Sequence, residues 1–207
     1  GCLQMLRSSL STSSQESLIP ILDLAERSSH RLMSFLEELL NAARQEMIVA
    51  IEPWQRVNLV SLLQLATDTA SLAARQAGIQ LVVELSPELP HPMGDKAQLE
   101  RVISNLLDNA LSYTPSGGSI LVSAESRDDQ IEVSVTDTGP GIPPELRSQI
   151  FERFTRVPGI KGRRQGFGLG LYFCRKVIEA HGGHIWMQAG PEGRGSHFSF
   201  SLPVPPA

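Results

Sequence analysis

The stretch "IEVSVTDTGPGIPP", residues 131–144, decides how this chain is read. Ile131, Val133 and Val135 alternate with polar residues, the two-residue period of a half-buried strand. The strand runs into Asp137 and then into the turn Thr138-Gly139-Pro140-Gly141. Glycine-rich turns that follow strands often cradle phosphates. A carboxylate at the mouth of such a turn repels a phosphate, so the purpose of Asp137 has to be found in the rest of the chain.

Working outward, "SILVSAES" before this stretch and "HIWMQA" and "SHFSFSLP" after it have strand texture. "GIQLVVEL" is a further strand, and a short one is expected near Val57. Between them lie helices expected over about Leu59–Gln76, stopped by Gly78, over Lys96–Tyr113, stopped before Pro115, and over Leu169–His181, ended by Gly182-Gly183. Asp95 precedes the second helix with Gln98 three residues on, the spacing of a capping box. Residues 138–168 form a long irregular stretch rich in Gly and Pro. This mixed order of helices and mostly antiparallel strands predicts an α+β two-layer sandwich over residues 54–205.

Before Pro53 the texture is different. Leu18, Leu22, Ala25, Ser29, Leu32, Leu36, Leu39 and Ala43 follow one another four and three residues apart, a heptad stripe widened by Ile21, Ser28 and Phe35. "SSLSTSSQES", residues 8–17, contains a turn, and residues 2–10 read as the end of an earlier helix. Residues 1–50 are therefore expected to form a helical hairpin. Alone it would leave its stripe bare, so pairing with a second copy into a four-helix bundle is expected.

Composition narrows the function classes. The 207 residues are 41% hydrophobic and 19% charged with a net charge of −4, and no stripe of Lys and Arg stands out, which argues against a nucleic-acid binder. Cys2 and Cys174 lack metal-ligand spacing and are read as free thiols in a reducing compartment. No apolar run approaches the roughly 18 residues of a membrane span.

On the Lys96–Tyr113 helix, Val102, Ile103, Leu106 and Ala110 share one face, while Asn105, Asn109 and Ser112 fall on another as neighbours. The asparagines fit a solvent face. They also fit a site where neutral amide oxygens ligate Mg2+ beside a triphosphate. "GFGLGL", residues 166–171, puts three glycines ahead of a helix, allowing a flexible loop or a helix start open to an anion. Its spacing is neither that of a Rossmann turn nor that of a P-loop. Lys161, Arg163 and Arg164 stand just before it, placed either as solvated loop charges or as a clamp for terminal phosphates.

Together these segments resemble the sensor histidine kinases. "NLLDNALSYT" (105–114) resembles their N box, "DTGPGI" (137–142) their G1 box, "FERF" (151–154) their F box, "GFGLGL" their G2 box and "GRGSHFSFSLP" (193–203) their G3 box, in family order and at family spacing. The hairpin, with "ERSSHRLMSFLEELLNAARQE", resembles the second half of the family's dimerisation and histidine-phosphotransfer domain. The resemblance implies a Bergerat-type ATP-binding fold, ATP and Mg2+ as cofactors, a homodimer, a response regulator receiver domain as partner and a cytoplasmic location, with any membrane attachment through upstream regions. It also implies a role for the acid: Asp137 would accept a hydrogen bond from the adenine 6-amino group, with Gly139, Gly141 and Ile142 against the base. Asn109 would be the principal Mg2+ ligand with Asn105 beside it. Tyr113 would line the base and ribose, and Ser112, Gly166, Phe167, Gly168, Leu169, Gly170, Leu171 and Ser196 would complete the nucleotide site. Residues 143–165 would be an ATP lid, clamped on phosphate by Lys161, Arg163 and Arg164 and anchored by Phe151 and Phe154.

The sequence departs from the family at several points. The acceptor motif, a histidine followed by an acid and Leu-Arg-x-Pro, surrounds none of His30, His91, His181, His184 and His197. His30 sits on the second helix of the hairpin, whereas the acceptor belongs on the first. The chain is expected to begin just after the acceptor, to bind Mg-ATP and not to phosphorylate itself. Ser112 replaces a commoner Lys or Arg, and Phe167 a commoner Thr or Ser. Other ATPases of the superfamily generally carry a glutamate at the position of Asn105. A dimeric pseudokinase scaffold is the remaining alternative.

Overall fold

The computed structural model describes residues 54–204 except 87, 128, 160, 161 and 164–167, and leaves the side chain of Glu192 undescribed. The chain divides into two units, Gly1–Met47 and Ile48–Ala207, and every described residue belongs to the second. The expected hairpin over residues 1–50, with Cys2, His30 and the bundle it implies, lies outside the described residues.

Seven strands and three helices follow in chain order. They are β1 (Gln55–Arg56), α1 (Leu59–Ala77), β2 (Gln80–Leu85), β3 (Met93–Gly94), α2 (Lys96–Tyr113), β4 (Ser119–Arg127), β5 (Gln130–Asp137), α3 (Gly170–Ala180), β6 (His184–Ala189) and β7 (Ser196–Pro203). Five strands make one sheet in the order β2-β4-β5-β7-β6. Within this sheet β2 and β4 run parallel, because the crossover through α2 returns the chain in the same direction, and the other neighbours run antiparallel. β1 and β3 pair separately. The short strand expected near Val57 is Gln55–Arg56, and its partner Met93–Gly94 lies in what reads as a loop.

Strand alternation builds the core. Ile120, Val122 and Ala124 of β4, Ile131, Val133 and Val135 of β5, Phe198, Phe200 and Leu202 of β7 and Ile185 and Met187 of β6 all face inward and are buried. They join one cluster with Leu59, Leu62 and Leu63 of α1, Val102, Ile103 and Leu106 of α2, and Phe173, Val177 and Ile178 of α3. Each fully buried Leu, Ile or Phe contributes roughly 1.5–3 kcal/mol of transfer free energy. The sheet's other face is polar, with Ser123 bonded to Ser134 (2.7 Å) and Thr136 to His197 (2.7 Å). This is the α+β two-layer sandwich the sequence predicts.

The helix ends follow from local chemistry. Asn58 caps α1 by accepting from the Ser61 N–H (3.0 Å), and Gly78 ends it at φ 69°. Asp95 caps α2 by accepting from the N–H groups of Ala97 (2.9 Å) and Gln98 (3.1 Å), while the Gln98 amide donates back to its second oxygen (3.0 Å). α3 has no such cap: Leu169 precedes it without a capping side-chain bond.

Candidate nucleotide site

β5 carries Asp137 to the edge of the core, where it is 3% exposed. The Gly139 N–H donates to Asp137 Oδ1 (2.7 Å), and Ser196, opposite it on β7, bonds the carboxylate through both its side chain and its backbone. Burial pushes the carboxyl above its ordinary value, and the bonds from Gly139 and Ser196 pull it partly back. An acid held so deep, with an acceptor oxygen to spare, is suited to a neutral donor such as an amino group.

The glycines beside it are required by close backbone approach. A side chain at Gly139 would place Cβ 2.7 Å from Asp137 Oδ1 and 2.9 Å from the Tyr113 carbonyl oxygen. Gly195, at φ 71°, lies directly over the Asp137 carbonyl. Gly141 (φ 74°) packs against Gly195, and Ile142 is half-buried against the core.

At the other end, α2 and α3 bring Asn105 to Gly170: a Cβ on Gly170 would sit 3.3 Å from Asn105 Oδ1. Asn105 Nδ2 is buried and, among the described residues, has no hydrogen-bond partner. Such a group costs about 1–3 kcal/mol unless something satisfies it. Asn109 lies one turn further along the same helix, half-buried. The first amides of α3 lie beside them and take no cap from the Leu169 side chain, an arrangement that favours an anion. Leu169 and Leu171 hold this helix start on the core.

Gly168, expected to flank phosphate, is held by backbone contacts of its own. At φ 75°, its carbonyl accepts from the Phe154 N–H (3.0 Å), and a Cβ there would meet the Thr155 carbonyl oxygen at 2.6 Å. The two residues close the neck of the segment 155–167. Phe154 itself holds φ 61° and is 54% exposed. Of the two F-box phenylalanines expected to anchor the lid, only Phe151 is buried, edge-on to Phe198 at 6.3 Å. The stem is held instead by Arg153, whose guanidinium lies 4.7 Å over the Tyr172 ring and donates to its hydroxyl (2.7 Å).

Arg163 bonds the C-terminal end of α2. Its guanidinium donates to the Leu111 carbonyl (3.1 Å) and its N–H to the Ser112 carbonyl (2.9 Å), where a cation complements the helix dipole. Gly162 packs against the Ser112 hydroxyl and the Tyr113 ring. Lys161, Arg164, Gly166 and Phe167 lie outside the described residues. Sequence reasoning missed Arg153, Tyr172 and the Phe154–Gly168 neck. The one available signal is a tyrosine following "GLGL", 19 residues after Arg153, and spacing alone does not connect the two.

Residues 94–206 match the family model described as "Histidine kinase-, DNA gyrase B-, and HSP90-like ATPase". The chain belongs to this family. Within it, the similarity runs to sensor histidine kinases. The chain is 35% identical over 176 residues to the adaptive-response sensory kinase SasA of Synechococcus sp. (strain CC9902), a match covering 82% of this chain and 46% of that protein. It thus spans about half the length of that relative. Among solved structures, the catalytic domain of histidine kinase ThkA superposes with a TM-score of 0.65 at 31% identity, covering 75% of this chain and all of that one. Full-length ShkA in complex with AMPPNP superposes with a TM-score of 0.75 at 28% identity, over 100% of this chain and 42% of that chain. ThkA has also been solved in complex with the response regulator protein TrrA, and that structure matches with a TM-score of 0.71 at 25% identity, over 99% of this chain and 55% of that one. No helix among the described residues is long and apolar enough to cross a membrane.

Proposed function

We propose that this chain is the catalytic ATP-binding region of a sensor histidine kinase. It binds ATP with Mg2+ and delivers the γ-phosphoryl group to a histidine outside the five of this sequence, for relay to a receiver domain of a response regulator. The observation that carries this reading is Asp137: a buried carboxylate aligned by Gly139 and Ser196, at the rim of a glycine-lined turn. There it accepts from the adenine 6-amino group, whereas guanine presents an acceptor at that position. ShkA, which binds AMPPNP, and ThkA, which pairs with a response regulator, support the same assignment.

The residues present fit Mg2+ and phosphate. Asn105 Nδ2, beside the Cys174 thiol and without a standard hydrogen-bond acceptor among the described residues, can donate to a phosphate oxygen, its Oδ1 is free to face a cation, and Asn109 supplies a second neutral amide. Bound Mg2+ would neutralise charge on the phosphates; Asn109 and Asn105 would hold it and the α3 amides would orient the phosphoryl group. Catalysis in this class of reaction is mostly positioning and charge neutralisation. For Arg163 to reach phosphate it would exchange the Leu111 carbonyl for an anionic oxygen, a stronger acceptor. By resemblance, Lys161, Arg164, Gly166 and Phe167, outside the described residues, would belong to the same phosphate site. A homodimer through residues 1–50 and a cytoplasmic location, where ATP and receiver domains are available, belong to the same proposal.

The test is calorimetric titration with a non-hydrolysable ATP analogue, with and without Mg2+, on the wild-type chain and Asp137→Asn. Micromolar-range binding, strengthened by Mg2+ and weakened about 5- to 150-fold by Asp137→Asn, is expected for the loss of one buried hydrogen bond of about 1–3 kcal/mol. Adenine uses the ionised carboxylate, so wild-type affinity should fall as pH drops through the raised Asp137 value, and the variant should lack that dependence. The folding term has the opposite sign: its contribution is full below the ordinary carboxylate value and is lost as pH rises through the raised one. No binding by folded wild-type protein would favour a dimeric scaffold whose site is unused.

A further inference from the structure

We propose that His181 is a positioning residue for the nucleotide site, setting the axial register of α2 against α3 that brings Asn105 to Gly170. The proposal rests on the ATP-site reading above. The two helices run antiparallel and meet at successive levels. At one end the Asp95 N–H donates to His181 Nε2 (3.0 Å). Midway, the Arg101 guanidinium lies 4.5 Å over the Phe173 ring and the Cys174 thiol faces the Val102 carbonyl (3.8 Å). At the far end stand Asn105 and Gly170. From Asp95 to Asn105 is ten residues and from His181 to Gly170 eleven, each roughly 15 Å of helix. A shift at the His181 end is therefore carried along two rigid rods to the phosphate end.

His181 is built for this task. It is 3% exposed, and its Nδ1 lies 2.7 Å from the Val177 carbonyl of its own helix. A carbonyl only accepts, so Nδ1 carries the hydrogen and Nε2 is the acceptor for Asp95. One ring thus joins the C-terminal turn of α3 to the cap of α2. Gly94 makes the approach possible, because a Cβ there would lie 2.6 Å from His181 Cδ2. The exposed side of the ring is covered by Trp54, stacked at 5.1 Å and 3°. Trp54 is 48% exposed and immediately precedes β1, which pairs with Met93–Gly94. Trp54, the first of the described residues, thereby rests on the ring that fastens the two site helices.

The test uses the whole 207-residue chain carrying Trp186→Phe, which leaves Trp54 as the sole indole. Titration with a non-hydrolysable ATP analogue and Mg2+ is followed by calorimetry and by Trp54 emission. Trp54 emission should change saturably at the concentrations at which heat reports binding. His181→Phe keeps a ring under Trp54 and removes the acceptor; it should weaken binding about tenfold and abolish the emission change. His181→Gln, with an amide oxygen for the Asp95 N–H, should recover part of the affinity. Trp54→Leu, at a half-exposed position, tests the cover without the hydrogen bond and should weaken binding two- to threefold if His181→Phe does not fold. Affinity within twofold of the parent in folded His181→Phe, or in His181→Gln and Trp54→Leu together, overturns the positioning role. So does normal binding with a silent Trp54. Absence of binding by the folded parent chain would instead overturn the ATP-site reading, and the role with it.

Discussion

At the Asp137 end of the site, the acid is already held by Gly139 and Ser196, and the backbones of Gly139, Gly141 and Gly195 are packed too closely to admit a side chain. At the Gly170 end, by contrast, Asn105 keeps a buried amide nitrogen without a partner, α3 begins without a side-chain cap, and Phe154 holds a left-handed backbone with most of its ring in solvent. The first end stays organised without ligand; the second stores unsatisfied and strained groups that a ligand can relieve. On the proposed reading, a rigid pocket for the base and an unfinished one for the part that reacts would be a sensible division, since the reacting end has to change its contacts during turnover.

The largest expected effect lies at the finished end. Gly195→Ala would drive a methyl into the Asp137 carbonyl from a backbone at φ 71°. Both costs act on the folded state, and together they should lower stability by about 3 kcal/mol or more. Urea denaturation monitored by circular dichroism would measure it. A loss below about 1 kcal/mol would show that the β5–β7 junction yields, and that the pocket is not preorganised as described.

At the unfinished end the expected pattern is reversed. Asn105→Ala removes an amide whose nitrogen has, among the described residues, only the weak Cys174 sulfur as neighbour, so stability without ligand should stay within about 1 kcal/mol of wild type. The strengthening of nucleotide binding by Mg2+ should be reduced, with Asn109 still in place. A large stability cost in the absence of ligand would mean that the amide is a structural group, and the contrast between the two ends would fail.

These differences also decide what could be read from the sequence. The sandwich, the three helices, the stop at Gly78 and the cap at Asp95 rest on local chemistry, and periodicity, glycine and capping spacing make them visible within a few residues, whereas the cap at Asn58 is seen only in the structure. Asp137 was legible because an acid after a strand and before two glycines conflicts with the phosphate reading that the glycines alone invite. The rest depends on long-range contacts. Nothing near "MGDK" announces that Gly94 admits His181 from 87 positions away. Gly168, read as a phosphate-flanking residue from its place in "GFGLGL", closes the neck with Phe154, a partner found only when β5 and α3 are placed in space. Arg163 was grouped with Lys161 and Arg164 by charge, but proximity to the end of α2 gives it carbonyl partners there.

Phe151 and Phe154, three residues apart in one motif, offer the finest test of the contrast. The reading that both anchor the lid predicts similar losses on truncation, and a buried Phe151 should cost about 3–5 kcal/mol when cut to Ala. Phe154 differs in two respects that oppose each other. Its ring gives up only the burial of its covered half, while its backbone at φ 61° carries a penalty that Asn tolerates far better than an aromatic residue. Phe154→Asn should therefore leave the unfolding free energy within about 1 kcal/mol of wild type, with the backbone relief of about 1–2 kcal/mol offsetting the lost packing. A loss approaching that of Phe151→Ala would restore Phe154 as an anchor. A gain would show that the strain at Phe154 exceeds what its contacts return.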